Sequence, residues 1–231
     1  TMPAADYLIS GAVAVGVGLD RTAALQVMIS RPIVAAPLTG WLLGEPLVGL
    51  QVGALLELLW LGRLPVGAAI PPDDTQVAVA STLLTITMGE SLVLSGPPLL
   101  LLCTLVAMPL GKIGQLAERL ARNWNGRLLI AAETALETGD LAAAERSHLW
   151  GLAHFAVASL ASFAVIVLTG TLTLHALVPL LAGPVEAAAG GLRLTFPLVG
   201  IAIILGSLNV KRARTLFGAS FATALLLLWL L

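Results

Sequence analysis

Charge is missing from this chain over distances that a soluble fold does not tolerate. No Asp, Glu, Lys or Arg lies between Arg146 and Glu186, between Arg193 and Lys211, or from Arg214 to Leu231. A bilayer's hydrocarbon core is about 30 Å thick, and about 20 apolar residues cross it as a helix. Helices and closed barrels alone satisfy every backbone group there. A barrel would show short segments alternating apolar and polar residues, and these runs do not alternate. The chain therefore reads as an all-α integral membrane protein, a polytopic helical bundle. Composition agrees, since 58% of residues are apolar and 11% charged, against about 25% charged in an average globular chain.

The same counts remove other classes. A net charge of −1 offers no global basic field for nucleic acid. The single Cys103 sits in an apolar run, which excludes a disulfide framework and a thiolate cluster. His148, His154 and His175 lack the spacing of a zinc site. No metal and no cofactor is expected, and His154, inside a span, reads as a helix–helix hydrogen-bonding residue. The N-terminus lacks the basic region of a cleavable signal, so the chain is expected to enter the membrane through its own spans.

Along the chain, Tyr7–Leu19 is apolar and Gly/Ala-rich until Asp20-Arg21 interrupts it, as a weak first span or an interfacial helix. From Pro32 to Gly62 the segment is punctuated by Gly and Pro, too long for one straight crossing and too short for two. Two shorter helices meeting near Gly44-Glu45-Pro46 fit it. Such broken or re-entrant pieces are tolerated at membrane depth only within protein or beside a water-filled cavity. A Pro-rich loop, 63–74, ends in Asp73-Asp74. Thr75–Gly89 and Ser91–Gly111 read as spans turning at Glu90. Lys112 to Arg146 is the strongly polar region. Within it Leu116, Leu120 and Trp124 recur at i, i+4, i+8 away from Glu118, Arg119 and Arg122, an amphipathic helix near 112–127 lying on a membrane face or a partner. Ser147–Thr169 is the clearest span. A shorter piece at 172–182, a connector at 183–191, and spans 194–210 and 215–231 complete one membrane domain over 1–231. Its parts are an N-terminal half (1–111), a polar segment (112–146) and a C-terminal half (147–231).

Basic residues mark the cytoplasmic side. Lys112, Arg119, Arg122, Arg127 and Arg146 place the central segment there, and Lys211, Arg212 and Arg214 place the short loop there. Spans 147–169 and 194–210 lie between, an even number, which leaves the C-terminus outside.

The segment Ser30–Asp74 reads SRPIVAAPLTGWLLGEPLVGLQVGALLELLWLGRLPVGAAIPPDD. Arg31-Pro32, the Leu-Leu-Gly-Glu step at Leu42–Glu45, Gly-x-x-x-Gly-x-x-x-Glu at Gly49–Glu57, Leu61-Gly62, Gly67-Ala68-Ala69 and Pro72-Asp73 occur in that order. This ordered set resembles the membrane component C (IIC) of the mannose/fructose/sorbose family of bacterial sugar phosphotransferase systems. Weaker likeness continues through Gly139-Asp140-Leu141 and His148-Leu149 to Asn209. The resemblance implies group translocation in the bacterial inner membrane. Component C, with a second membrane component D, forms a pathway for a hexose-type sugar. A cytoplasmic B component carrying a phosphohistidine phosphorylates the sugar on entry. A trimer of C–D pairs is implied, and C itself carries no catalytic residue. Two other functions stay open on the residues: a membrane scaffold or sensor that no longer transports, and an ion-coupled secondary transporter.

Glu57 is the most informative candidate for sugar binding. A carboxylate among Leu55, Leu56, Leu58 and Leu59 costs several kcal/mol in a membrane unless solvated or paired. It shares a helical stripe with Gly49 and Gly53, whose missing side chains clear space for a sugar or for a partner backbone. A carboxylate accepts strongly from sugar hydroxyls; the alternative is pairing with Arg31 or Arg63. Of Asp73 and Asp74, one is expected to cap the following helix and the other to meet sugar at a broken-helix end. Trp60 either stacks on a sugar face or anchors a helix end. Gln51 lies about 120° from the Glu57 stripe and needs a different wall of the pocket. The resemblance adds Gly53, Gly67 and Asn209.

The charge pattern yields a topology test. In a Cys103-free background, single cysteines at 115–145 or 212–214 are expected to react with impermeant thiol reagents only from the cytoplasmic side. Labelling of 115–145 from outside would reverse the orientation.

Overall fold

The computed structural model describes residues 4–62, 69–89, 92–207 and 212–230. Its helices are α1 (Ala4–Thr22), α2 (Pro32–Leu42), α3 (Pro46–Trp60), α4 (Asp74–Met88), α5 (Gly96–Glu137), α6 (Leu141–Ser207) and α7 (Ala213–Leu230). Arg63, Gly67, Glu90, Asn209 and Lys211 lie outside the described residues. By length and composition, α5 and the Leu141–Ala188 part of α6 suffice to cross a membrane.

α4 is the hub. From Thr75 to Met88 every residue except Ile86 is buried, with α1, α2, α3, α5 and α6 packed around it. A helix enclosed on all sides carries no polar stripe, and three of its threonine hydroxyls are satisfied within the helix. Thr82, Thr85 and Thr87 each donate to the carbonyl four residues back, at 2.9, 2.7 and 2.8 Å, the usual solution for a hydroxyl held inside a helix.

The expected break at 44–46 is present. Gly44 takes φ +83°, a conformation that costs glycine little. Pro46 opens α3 at a first-turn position, where its missing N–H has no intrahelical partner to lose. The two helices then fold together through glycine. A methyl on Gly40 would stand 3.0 Å from Gly49 N and Cα, one on Gly53 2.6 Å from the Pro32 carbonyl oxygen, and one on Gly49 against the Ala36 carbonyl oxygen. The Gly49–Gly53 stripe is thus occupied by the backbone of α2.

Two expected boundaries are absent. The apolar run ending at Gly111 and the amphipathic stretch after it are one helix, α5, with Pro109 inside. Gly111, Gly114, Glu118 and Ala121 face the bundle, whereas Leu116, Leu120 and Trp124 are 58%, 44% and 49% exposed. The apolar stripe is free for lipid or a partner, and a glutamate faces inward. Likewise 183–191 is not a connector, because α6 runs through it with Pro179, Pro184 and Pro197 inside. Proline bends a helix without having to end it. The middle and the C-terminal part of this long helix both meet the bundle, Gly170 against Leu84 and Gly200 against Leu58.

Beyond the bundle α5 and α6 form a hairpin. Asn125 Nδ2 donates to Gly151 O at 3.1 Å, so its Oδ1 faces His154 Nδ1 as acceptor at 2.6 Å. This is the interhelical role read for His154. Arg122 also lies 6.0 Å from the Phe155 ring centre. The first turns of the run 147–169 therefore pack beside the charged part of α5.

Close packing of α2 on α3 predicts opposite signs for two glycine substitutions. Gly49→Ala is expected to lose about 1–3 kcal/mol by overpacking. Gly16→Ala, with nothing within 4 Å of the added methyl, is expected to gain about 0.5–1 kcal/mol of helix stability. Melting curves in detergent read both; equal midpoints would refute the tight α2–α3 contact.

Candidate functional site: a carboxylate cluster where the helices end

α1 ends in two residues with opposite tasks. The Asp20 carboxylate accepts from Val27 N at 2.8 Å and Ser30 N at 3.0 Å. It thereby folds back a loop in which Leu25, Gln26 and Met28 hold φ of 61°, 55° and 69°, costly for side-chain-bearing residues unless neighbours enforce them. Arg21 points the other way, into the bundle. It pairs closely with Asp74, reaches Thr75 Oγ1 at 3.1 Å and Pro72 O at 3.2 Å, and lies 3.5 Å from Asp73 and 4.0 Å from Glu118. Glu118 is also held by Arg122, one turn on, at 2.6 Å. Three carboxylates therefore face two guanidiniums.

The elements explain how these groups come so close. Asp73 caps α4 by accepting from Gln76 N at 3.0 Å, and its own N–H donates to Gly111 O at 2.9 Å. Gly114 makes room, since a methyl there would collide with the Asp73 side chain. Thr75 Oγ1 donates to Ser30 O at 2.8 Å, which brings the next residue, Arg31, beside the cluster. Arg31 is the partner of Glu57: its Nε donates to Oε1 at 2.9 Å, with a second, closer contact from the guanidinium. Ile33 N donates to Oε2 at 3.3 Å. Glu57 thus closes the α2–α3 hairpin at the positive end of α2, where a carboxylate is favoured.

Glu57, Asp73 and Asp74 accordingly share one end of the bundle. The capping role falls to Asp73, and Asp74 takes the cation. Gln51 opens on a separate cavity lined by Leu55, Leu58, Pro97 and Pro197, away from Glu57, Asp73 and Asp74. Trp60 is buried in the main core, and Gly53 contacts α2. Arg21 and Glu118 were not read as site residues from sequence. Their signals were an Asp-Arg pair ending an apolar run and a carboxylate on the side of α5 opposite its leucines. Beside them is a cleft bordered by Arg21, Asp73, Glu118, Ser159 and Ser162, with about 10 Å³ of free space, roughly that of one water. Gln76 is fully buried; its Nε2 donates to Ala14 O at 2.9 Å, while its Oε1 has no partner among the described residues.

A family model described as the sorbose-specific IIC component of the phosphotransferase system matches residues 5–230. This chain belongs to that family. It is a sugar-translocating IIC membrane subunit. The mannose-specific EIIC component of Escherichia coli K12 is 30% identical over 84% of this chain and 70% of its own length. The sorbose-specific EIIC component of Lacticaseibacillus casei is 29% identical over 93% and 73%. A solved chain described as a membrane protein superposes with TM-score 0.71 at 23% identity, covering 97% of this chain and 87% of that one. One from the cryo-EM structure of the mannose transporter ManYZ with microcin E492 gives 0.59 at 22%, with the same coverage. These two support the helical fold of the IIC chain.

In the IIC chain Arg21 neutralises carboxylates that burial would otherwise penalise. Its side chain is 13% exposed, and those of Asp73 and Glu118 are 9% and 11%. Arg21→Met is therefore expected to cost about 3–5 kcal/mol, as when one partner of a buried pair is removed. Arg21→Lys should be milder, keeping the charge without the fork. Detergent melting midpoints and the yield of monodisperse protein test the ranking; a wild-type Met variant would show that the cluster does not hold these helices.

Proposed function

We propose that the IIC chain receives a hexose-type sugar at this polar end of the bundle, on the cytoplasmic side of a bacterial inner membrane. The observation that carries the reading is the convergence of Glu57, Asp73 and Asp74 where α1, α2, α3 and α4 begin or end. Helix ends inside a membrane protein offer polar backbone and charged side chains to a hydrophilic substrate. Carboxylates accept from sugar hydroxyls and guanidiniums donate to them, so the Glu57–Arg31 and Asp74–Arg21 pairs present both kinds of partner. Gly67 and Asn209 remain candidates through the family resemblance alone, while Gln51, Gly53 and Trp60 are engaged elsewhere among the described residues.

The chemistry of phosphorylation belongs to partners in this reading. Histidines 148, 154 and 175 lie on the helix α6, and His154 is engaged with Asn125, a poor setting for accepting a phosphoryl group. The phosphohistidine donor is the cytoplasmic B component, which meets the sugar at the end of the bundle where the charged hairpin leaves. Component D covers the exposed apolar face of α6, and C–D pairs assemble as a trimer.

Uptake of a panel of labelled sugars, with D and B supplied, tests the proposal. Phosphorylated sugar is expected inside; accumulation of unmodified sugar would instead indicate an ion-coupled transporter. Asp74→Asn should weaken transport by about 1.5–3 kcal/mol, roughly 10- to 150-fold, and lower the melting midpoint, because it removes the closest partner of Arg21. Glu57→Gln strands Arg31, so stability is expected to fall as well. The pair Glu57→Gln with Arg31→Gln separates the two effects. Restored melting with transport still lost assigns the Glu57–Arg31 pair to sugar, and recovery of both would leave it a hairpin clamp.

A further inference from the structure

The described cations of α1, α2 and the first half of α5 differ in how they are held. Arg21, Arg31 and Arg122 are each held by a carboxylate. Lys112 and Arg119 are exposed, and among the described residues neither has a carboxylate within ion-pair distance. They stand two turns apart on α5, about 10 Å at 1.5 Å per residue. On a helix, Leu105, Pro109, Lys112, Leu116 and Arg119 fall on one stripe. Leu105 is 40% exposed and Leu116 58%, and Pro109 is exposed. The stripe is opposite the buried face formed by Gly111, Gly114 and Glu118.

The level of the two cations is fixed by contacts across the bundle. Gly111 O meets Asp73 N where α4 begins, and Glu118 meets Arg21 where α1 ends. Lys112 and Arg119 therefore bracket the height at which the apolar helices stop, and the headgroup layer there is about 5–8 Å thick. Outward-facing cations interleaved with exposed leucine, directly above an apolar stripe, match one surface, that of a lipid with an anionic headgroup.

We propose that Lys112 and Arg119 together bind the headgroup phosphate of an anionic phospholipid whose acyl chain lies along Leu105 and Pro109. The long side chains reach the phosphate while their methylene stems cover α5. Continuity with the exposed apolar stripe of Leu105 and Pro109 favours this occupant over an acidic protein, for which the leucines would serve no purpose.

Native mass spectrometry on the delipidated protein, titrated with phosphatidylglycerol or phosphatidylcholine, tests the site. Wild type is expected to prefer phosphatidylglycerol. At about 1 kcal/mol per cation near the surface, Lys112→Gln with Arg119→Gln should weaken phosphatidylglycerol about 30-fold and each single change about 5-fold. Phosphatidylcholine binding should not change, Lys112→Arg with Arg119→Lys should keep the preference, and Arg127→Gln, farther along α5, should behave as wild type. Equal occupancy by the two lipids in wild type would overturn the proposal, as would an undiminished preference in the double variant. Unchanged lipid binding with lost binding of phospho-B would assign the cations to a protein partner instead.

Discussion

Arg21 is the group on which this end of the molecule depends. A guanidinium drawn into an apolar bundle costs several kcal/mol unless carboxylates and hydrogen-bond acceptors receive it. Here they come from Asp73, Asp74, Glu118 and the Pro72 carbonyl. Each donor of help is itself constrained. Asp73 can approach because residue 114 is glycine, and Asp74 because two prolines set the backbone before it. Glu118 can approach because α5 does not stop at the edge of the apolar run. One buried cation thereby ties the end of α1, the start of α4 and the middle of α5 to a common level.

The α2–α3 hairpin reaches that level by a different route. Glycine contacts at 40, 49 and 53 bring the two backbones together, and the ion pair between Glu57 and Arg31 closes the open end. The Thr75–Ser30 hydrogen bond then joins the hairpin to the Arg21 cluster. A subunit that moves a sugar needs a hydrophilic place among apolar helices without leaving charges unpaired when the sugar is absent. On the proposed reading paired carboxylates meet both needs, because an ion pair satisfies itself and still offers lone pairs and N–H groups to hydroxyls.

Much of the helical layout was legible in the chain. Uncharged runs marked α6 and α7, and Gly44-Glu45-Pro46 marked the hairpin turn, because hydropathy and φ preferences act over a few residues. The placement of helix ends at 111 and 183–191 failed for a definite reason. A change from apolar to charged side chains reports a change of surroundings, whereas a helix ends only when its i to i−4 bonding is interrupted. Lys112 changes what α5 faces and interrupts nothing. Pro179 and Pro184 each remove a single bond, which a long packed helix survives. In the same way, sequence left Glu57 with Arg31, Arg63 or a sugar as partner, and the register of α3 against α2 placed Arg31 beside it.

Taken by itself, the sequence determined that the chain is an apolar helical protein, that its N-terminal third is broken into short helices, and which family it belongs to. These follow from local composition and ordered motifs, which need no knowledge of what packs where. The tertiary structure decided that Arg21 and Glu118 belong with Asp73 and Asp74, that Asp73 is the cap, and that the leucine stripe of α5 faces outward. Arg21 and Asp74 are 53 residues apart. Their meeting depends on the angle and depth at which α1, α4 and α5 cross. Those are set by glycine contacts and buried volume summed over the whole bundle, a quantity that no local stretch of residues contains.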